Sequence, residues 1–73
     1  ASASAKQLSA IKKIKDKRGL ESLPDDLKEI AVLRLENPEM SLRDLGQNLS
    51  TPISRSGANH RMNRLLEYAE DLD

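Results

Sequence analysis

Residues 41–64 read SLRDLGQNLSTPISRSGANHRMNR, and this stretch contains two helix starts on either side of a proline. At the first start, Ser41 is followed three residues later by Asp44, a spacing that resembles a capping box. The spacing predicts a short helix that begins there and runs through about Leu49. The side chains that face inwards on this helix are predicted to be Leu42, Leu45 and Leu49.

The second helix start follows the break STPIS at residues 50–54. Pro52 interrupts the preceding helix, and the hydroxyl group of Ser54 can cap the next one. That last helix is predicted to run from about Arg55 to Leu72. Its buried stripe at helical spacing consists of Ala58, Met62, Leu65, Ala69 and Leu72. Two helices joined by about five residues predict a helix-turn-helix.

The face opposite this stripe is predicted to be exposed, and its side chains suit the major groove of duplex DNA. Arginine pairs with guanine O6 and N7, and asparagine pairs with adenine N6 and N7. The groove-facing candidates are Arg55, Ser56, Asn59, His60, Asn63 and Arg64. The candidates for phosphate contacts or for the helix start are Thr51, Ser54 and Arg61, and Arg43 is a candidate for a further backbone contact. Arg61 lies nearer the buried stripe, so pairing with an acid of the second helix stays open.

The charges are segregated along the chain although the formal net charge is zero. Residues 1–18 contain six basic and one acidic residue, whereas residues 19–45 contain three basic and seven acidic residues. Residues 46–66 contain three arginines and no acid, and residues 67–73 contain four acids. Because a carboxylate would repel phosphates at close range, the acid-free window is typical of a DNA-facing helix. Within that helix, Gly57 is expected to let the backbone approach the groove wall.

Two further helices are predicted upstream, which makes the fold all-α, a small bundle of about four helices. The first covers residues 4–18 and stops at Gly19. Its apolar side is predicted to consist of Leu8, Ile11 and Ile14 or Lys15. The second has Pro24 as its first helical residue and ends by Glu36. Its broad apolar face is predicted to consist of Leu27, Ile30, Ala31, Leu33 and Leu35.

The composition argues against several classes of function. The chain has no cysteine, and its one aromatic residue, Tyr68, is predicted to be a partly buried packing residue. The apolar runs are too short to span a membrane. His60 has no partner at metal-ligand spacing, and no nucleophile–base pair is evident, so we expect no metal, no cofactor and no enzyme activity. The lysines of residues 6–17 form either a solvated helix face or a secondary phosphate contact.

Residues 23–72 resemble the C-terminal domain of WhiA, a family of bacterial regulators of sporulation and cell division. The segments that carry the resemblance are Leu23-Pro24, LRLENPEMSLRDLG at residues 33–46 and PISRSGANHR at residues 52–61. The lead-in KQLSAIKKIKDKRGLESLP, residues 6–24, also looks like the stretch that precedes this domain in the family. The resemblance implies a DNA-binding domain similar to region 4 of housekeeping sigma factors, with DNA contacts in residues 41–64. The turn at residues 50–53 looks longer than the usual turn of sigma region 4.

The resemblance also implies a domain organisation and a set of partners. Residues 1–22 are expected to be a basic helical lead-in from an N-terminal domain outside this sequence, and residues 23–73 the helix-turn-helix domain. In the family that N-terminal domain resembles LAGLIDADG homing endonucleases. Double-stranded DNA is the expected partner, with another transcription regulator or RNA polymerase as a further one. We expect a monomeric domain, located in the bacterial cytoplasm on the nucleoid, without membrane contact.

Two functions are therefore compatible with the sequence. The first is sequence-specific DNA binding, which substitutions at Asn59 and Asn63 should damage. The second is a protein-interaction module that docks on a sigma factor, RNA polymerase or another regulator through its acidic blocks. Substitutions at Asp25, Asp26 and Glu29 should damage this second function.

Overall fold

The computed structural model describes residues 3–72, and within that range the chain is helical with no strand. Its elements are α1 (Ala3–Lys17), a short 3₁₀ turn (Leu20–Ser22), α2 (Asp25–Glu36), α3 (Leu42–Gln47) and α4 (Arg55–Glu70). The predicted all-α fold of about four helices is confirmed. Helices α2 and α4 each contact the other three helices, and α4 packs against them more extensively than α2 does.

Helix α1 ends at Lys17, and Gly19 stops it, as the sequence predicts. Gly19 has a φ of 81°, in the left-handed region that glycine adopts without a steric penalty. Its N–H lies 3.0 Å from the carbonyl oxygen of Ile14 and 3.1 Å from that of Lys15. These contacts close the last turn and point the chain away from the helix axis.

The start of α2 differs by one residue from the prediction. Pro24 was expected at the first helical position, but it occupies the N-cap, with φ −57° and ψ 152°, and the helix begins at Asp25. The proline ring fixes φ only, so the extended ψ is compatible with it. The Pro24 carbonyl accepts the first helical hydrogen bond, from Lys28 N at 2.8 Å. Glu36 ends the helix as predicted.

One core joins all four helices. Its buried hydrophobic residues are Ile11, Ile14, Leu23, Leu27, Ile30, Ala31, Leu45, Leu49, Ala58, Met62, Leu65 and Ala69. The predicted stripe of α4 is confirmed, except that Leu72 is half-buried and lies beyond the helix end at Glu70. The last turn of α4 has no basic residue. Carboxylates there oppose the helix dipole, which accounts for the earlier end.

The inner row of α1 contains a residue that the sequence analysis missed. Ile11 and Ile14 are fully buried, whereas Leu8 is only half-buried and Lys15 is exposed. The side chain of Gln7 takes the remaining inner position, with 5% of its surface exposed. The buried row of α1 therefore runs from Gln7 to Ile11 and Ile14, in steps of four and then three residues.

The division of the chain at residue 22 into a lead-in and a helix-turn-helix domain stays a prediction about the longer protein.

The most unexpected core residue is Arg34 on α2. Its side chain is 2% exposed, within a helix face predicted to be apolar. Its Nη1 atom donates to the carbonyl oxygens of Met40 at 2.5 Å, Asn37 at 3.3 Å and Pro38 at 3.4 Å. Burial lowers the pKa of the guanidinium group, but arginine stays protonated in proteins. A buried cation therefore fixes the loop of residues 37–41, here termed the α2–α3 loop.

Tyr68 packs against the core as a half-buried residue, as the sequence predicts. Its hydroxyl oxygen lies 3.3 Å from Oγ of Ser22, at the end of the 3₁₀ turn. The phenol thus joins α4 to the segment that precedes α2.

Candidate nucleic-acid interface

The first helix of the predicted helix-turn-helix begins with the expected cap. The hydroxyl oxygen of Ser41 accepts a hydrogen bond from the backbone N–H of Asp44 at 3.1 Å. Helix α3 ends at Gln47, two residues earlier than the sequence analysis expected. Asn48 accounts for the difference, because its side-chain amide donates to the carbonyl of Asp44 at 2.8 Å and closes the last turn. Leu49 remains buried beyond the helix end.

The segment between α3 and α4, residues 48–54, is here termed the connector. It contains seven residues, against about five expected. Ile53 anchors its second half: the Ile53 N–H donates to the carbonyl of Gly46 at 3.0 Å, and Nε2 of Gln47 donates to the Ile53 carbonyl at 3.3 Å. A Cβ atom on Gly46 would lie 2.7 Å from the Ile53 carbonyl oxygen. Only glycine fits this approach, a requirement that the sequence analysis missed.

The first half of the connector is anchored by Glu29 of α2. Oε2 of Glu29 accepts hydrogen bonds from the backbone N–H of Ser50 at 2.9 Å and from its hydroxyl group at 2.5 Å. These two bonds lower the pKa of the Glu29 carboxyl group, and the positive charge of Arg61 lowers it further. The charge of Arg61 thus acts on an acid of the second helix, and the pairing of the two side chains stays a prediction. Arg61 itself is half-buried.

Helix α4 has the predicted cap. The hydroxyl oxygen of Ser54 accepts a hydrogen bond from the backbone N–H of Gly57 at 3.1 Å. The expectation that Gly57 opens the backbone towards a groove wall is wrong. A Cβ atom on Gly57 would lie 3.4 Å from Cβ of Ile53, so this side of the glycine faces the connector.

The six candidate residues on α4 are all exposed: Arg55, Ser56, Asn59, His60, Asn63 and Arg64. They are here termed the α4 outer face. The helix places them in neighbouring rows opposite Ala58, Met62 and Leu65, which are buried. Of the four remaining candidates, Arg43 on α3 and Thr51 and Ser54 in the connector are also exposed, whereas Arg61 is half-buried.

The charge along α4 changes sign from one end to the other. Its first turn has no acidic residue and contains Arg55. The N-terminus of a helix also carries a partial positive charge. The second half contains Glu67 and Glu70, both exposed, with Asp71 directly after the helix. A polyanion would therefore meet attraction at the first half of α4 and repulsion at the end.

Residues 3–72 contain neither a metal-binding cluster of side chains nor a membrane-spanning helix. In that part of the chain, no group of three or more His, Cys, Asp or Glu side chains is placed to bind a metal ion. None of the helices in the same range has the length and apolar character that a membrane span requires.

The chain matches known proteins over nearly its whole length. The family model of the WhiA C-terminal HTH domain matches residues 1–69. A probable cell division protein WhiA from Streptococcus pneumoniae is 48% identical over 71 residues, which cover 97% of this chain and 23% of that protein. A protein of the same name from Staphylococcus haemolyticus is 50% identical over 72 residues, with 97% and 23% covered.

A solved structure agrees with these relatives. The crystal structure of full-length DUF199/WhiA from Thermatoga maritima superimposes with a TM-score of 0.88 at 38% identity, over 96% of this chain and 24% of that one. The chain thus spans about a quarter of the length of these relatives. Its sequence, its helices and their arrangement all agree with one family, and the chain belongs to the WhiA C-terminal helix-turn-helix domain family.

Proposed function

We propose that this domain binds duplex DNA as part of a bacterial transcription regulator, with the α4 outer face in the major groove. The observation that carries the proposal is a capped helix whose exposed first half presents Arg, Asn, Ser and His side chains without a carboxylate. A helix of this kind, preceded by a shorter helix and a turn, is the usual reading element of helix-turn-helix proteins. The proposed role is binding, not catalysis.

The side chains of the α4 outer face divide by chemistry. Asn59 and Asn63 carry amides that can form paired hydrogen bonds with adenine, and Arg55 and Arg64 can do the same with guanine. Ser56 and His60 are available to either kind of base edge. Hydroxyl and guanidinium groups that lie outside α4 suit contacts with DNA phosphates. We assign this role to Arg43, Thr51 and Ser54.

The number of cations limits the affinity. About three to five phosphate contacts give a slope of roughly −3 to −5 in a plot of log K against log salt concentration. The isolated domain should therefore bind DNA weakly and lose affinity steeply as salt rises. We propose that the longer WhiA protein supplies the remaining affinity, and that it acts in the bacterial cytoplasm on the nucleoid in the control of cell division.

A fluorescence-anisotropy titration with a mixed-sequence duplex, at two salt concentrations, tests the proposal. The test variant is Asn59→Ala with Arg64→Ala, because both side chains are exposed on the α4 outer face. The control is Arg18→Ala, which removes the same charge from the end of α1, where Arg18 is exposed. Circular dichroism checks that each variant is folded.

We expect binding that weakens with salt, a loss of at least about tenfold in the double variant, and a smaller change in the control. Absence of binding by the folded domain at low salt would overturn the proposal. Equal losses in the test and control variants would show that charge, and not the α4 outer face, accounts for binding.

One observation favours a second candidate function, a protein-interaction module. An open cleft of about 480 Å³ lies along α2 and the connector. Its lining has three acidic residues and one basic residue and is partly apolar: Asp25, Glu29, Glu36, Lys28, Val32 and Leu33. Such a cleft suits a basic, partly apolar segment of another transcription regulator or of RNA polymerase.

A charge reversal separates this second function from DNA binding. Asp25→Lys with Glu36→Lys changes two exposed residues of α2 and leaves α4 intact. If the cleft docks a basic partner, this variant should lose binding to purified RNA polymerase holoenzyme in an interferometry assay and keep its DNA affinity. An unchanged affinity for the holoenzyme, or no binding by the unmodified domain, would argue against the module.

A further inference from the structure

We propose that Glu29 is a positioning residue: its carboxylate fixes the connector and, through it, the start of α4, and so sets how sharply the domain discriminates between DNA sequences. The effect on DNA rests on the proposed function. Glu29 lies on α2, outside the α4 outer face, and the proposal gives it no contact with DNA.

Glu29, on α2, is hydrogen-bonded to the connector and is affected by the charge of a cation on α4. Its Oε2 atom accepts both the N–H and the hydroxyl group of Ser50, at 2.9 and 2.5 Å, although the two residues are 21 positions apart in sequence. Hydrogen bonds to a charged acceptor are stronger than those between neutral groups. The positive charge of Arg61, on α4, acts on the same carboxylate. Glu29 thus interacts with the connector and with α4 at once.

The connector depends on this anchor because three successive residues after the buried Leu49 are exposed. Ser50, Thr51 and Pro52 all lie at the surface. The second half has a separate anchor, the hydrogen bonds that join Ile53 to Gly46 and Gln47. Without Glu29, residues 50–52 gain conformational freedom directly before the Ser54 cap, and the direction in which α4 leaves the connector is less well defined.

Positioning and simple electrostatics predict opposite results. If Glu29 acted only through its charge, removing that charge would strengthen binding to every duplex, because one source of repulsion is lost. If Glu29 positions α4, its removal weakens binding to the preferred duplex and leaves binding to unrelated sequences nearly unchanged. The ratio of the two affinities therefore distinguishes the two roles.

The experiment uses a duplex selected by the unmodified domain from a random pool, and a mixed-sequence duplex as reference. Glu29→Ala removes the carboxylate, and Glu29→Gln keeps an oxygen acceptor of the same length. The matched control is Glu36→Ala, which removes the same charge from an exposed position of the same helix and the same cleft. Amide hydrogen exchange at Ser50, Thr51 and Ile53 gives a readout that does not depend on DNA.

We expect Glu29→Ala to lose about tenfold in affinity for the selected duplex, with a change of less than about twofold for the mixed duplex. Its backbone amides at Ser50, Thr51 and Ile53 should exchange faster, whereas those of α1 should be unchanged. Glu29→Gln should recover most of both properties. A Glu29→Ala variant that matches Glu36→Ala in the affinity ratio and in exchange would overturn the proposal.

The outcomes separate this inference from the proposed function. If the unmodified domain selects no duplex, the DNA-binding function fails, and hydrogen exchange alone decides whether Glu29 fixes the connector. If Glu29→Ala does not fold, Ser50→Ala provides the test, because it removes the hydroxyl bond and keeps the N–H bond. Ser50→Ala should lower the affinity ratio by about threefold, and an unchanged ratio and unchanged exchange would overturn the proposal.

Discussion

The two loops on either side of α3 are both fixed by a charged residue of α2, but in opposite ways. The α2–α3 loop bonds to Arg34, a cation with 2% of its surface exposed. The connector bonds to Glu29, a half-buried carboxylate that lines a cleft open to solvent. The same helix therefore organises one loop from inside the core and the other from the surface.

This difference has an energetic consequence. When Arg34 is removed, the carbonyl groups of Asn37, Pro38 and Met40 lose three part-buried hydrogen bonds from a donor that is itself 2% exposed, which is costly. When Glu29 is removed, water can bond to the freed N–H of Ser50, which is exposed. Arg34, the inner anchor, should therefore determine the stability of the fold. Glu29, the outer anchor, should determine the local geometry of the connector.

Arg34→Met should give the largest effect. Methionine replaces the aliphatic part of the side chain and removes the guanidinium donors, so we expect the free energy of unfolding to fall by about 3 kcal/mol. Urea denaturation measures the change, and Arg43→Met, at an exposed position of α3, is the control with an expected change within about 0.5 kcal/mol. Equal stability of the two variants would break the contrast between inner and outer anchors.

Gly46→Ala should give the next largest effect. The added Cβ would lie 2.7 Å from the carbonyl oxygen of Ile53, so the connector must move, at a cost of about 2 kcal/mol. Gly57→Ala is the matched control, because there the nearest atom, Cβ of Ile53, is at an ordinary 3.4 Å. Alanine favours the helix at Gly57, which should make that variant as stable as the parent or slightly more stable. Similar destabilisation of both variants in urea would contradict this account of the connector.

Ser54→Ala should cost about 1 kcal/mol, because the N-cap of α4 is lost. Ser54→Asp provides a sharper comparison, since aspartate also caps helices but adds a negative charge beside the proposed phosphate contact. We expect Ser54→Asp to have the thermal stability of the parent and a lower DNA affinity. A variant with unchanged DNA affinity would exclude Ser54 from the interface.

The smallest effect concerns the pH dependence of stability. The folded-state pKa of Glu29 lies below the ordinary value of 4.5, so its contribution is fully present above that value. The contribution should be lost as the pH falls from about 4.5 through the lowered folded-state pKa. Glu29→Gln should therefore show a flatter decline of unfolding free energy with falling pH than the parent. Identical pH profiles would contradict the charged hydrogen bonds to Ser50.

The residues that could be predicted from sequence are those whose interactions are local. The caps at Ser41 and Ser54 join atoms three residues apart, and the stripe of α4 follows from helical periodicity. The roles of Arg34 and Glu29 depend on the loops that approach α2 in the folded chain. A buried arginine in particular contradicts the usual preference of charged side chains for water, and only the carbonyl groups of the α2–α3 loop explain it.

In the candidate site, too, local features could be predicted from the sequence and features that depend on packing could not. The exposure of the α4 outer face followed from the position of its buried stripe. The close approach of Gly46 to Ile53 and the length of the connector did not, because both depend on how α3 and α4 pack together. Gly57 shows what the sequence cannot predict. Its place in the first turn of α4 was predicted correctly, but the missing side chain leaves space towards Ile53 of the connector and not towards a DNA groove.

Titration of the ¹⁵N-labelled domain with duplex DNA, followed by amide chemical shifts, tests the central claim most directly. The account predicts salt-sensitive shift changes at residues 54–64, with smaller changes in the connector and at the start of α3. The outer surface of α2, at Asp25 and Glu36, should be unaffected. Changes confined to α1 or to α2, or no changes at low salt, would contradict the claim that α4 reads DNA.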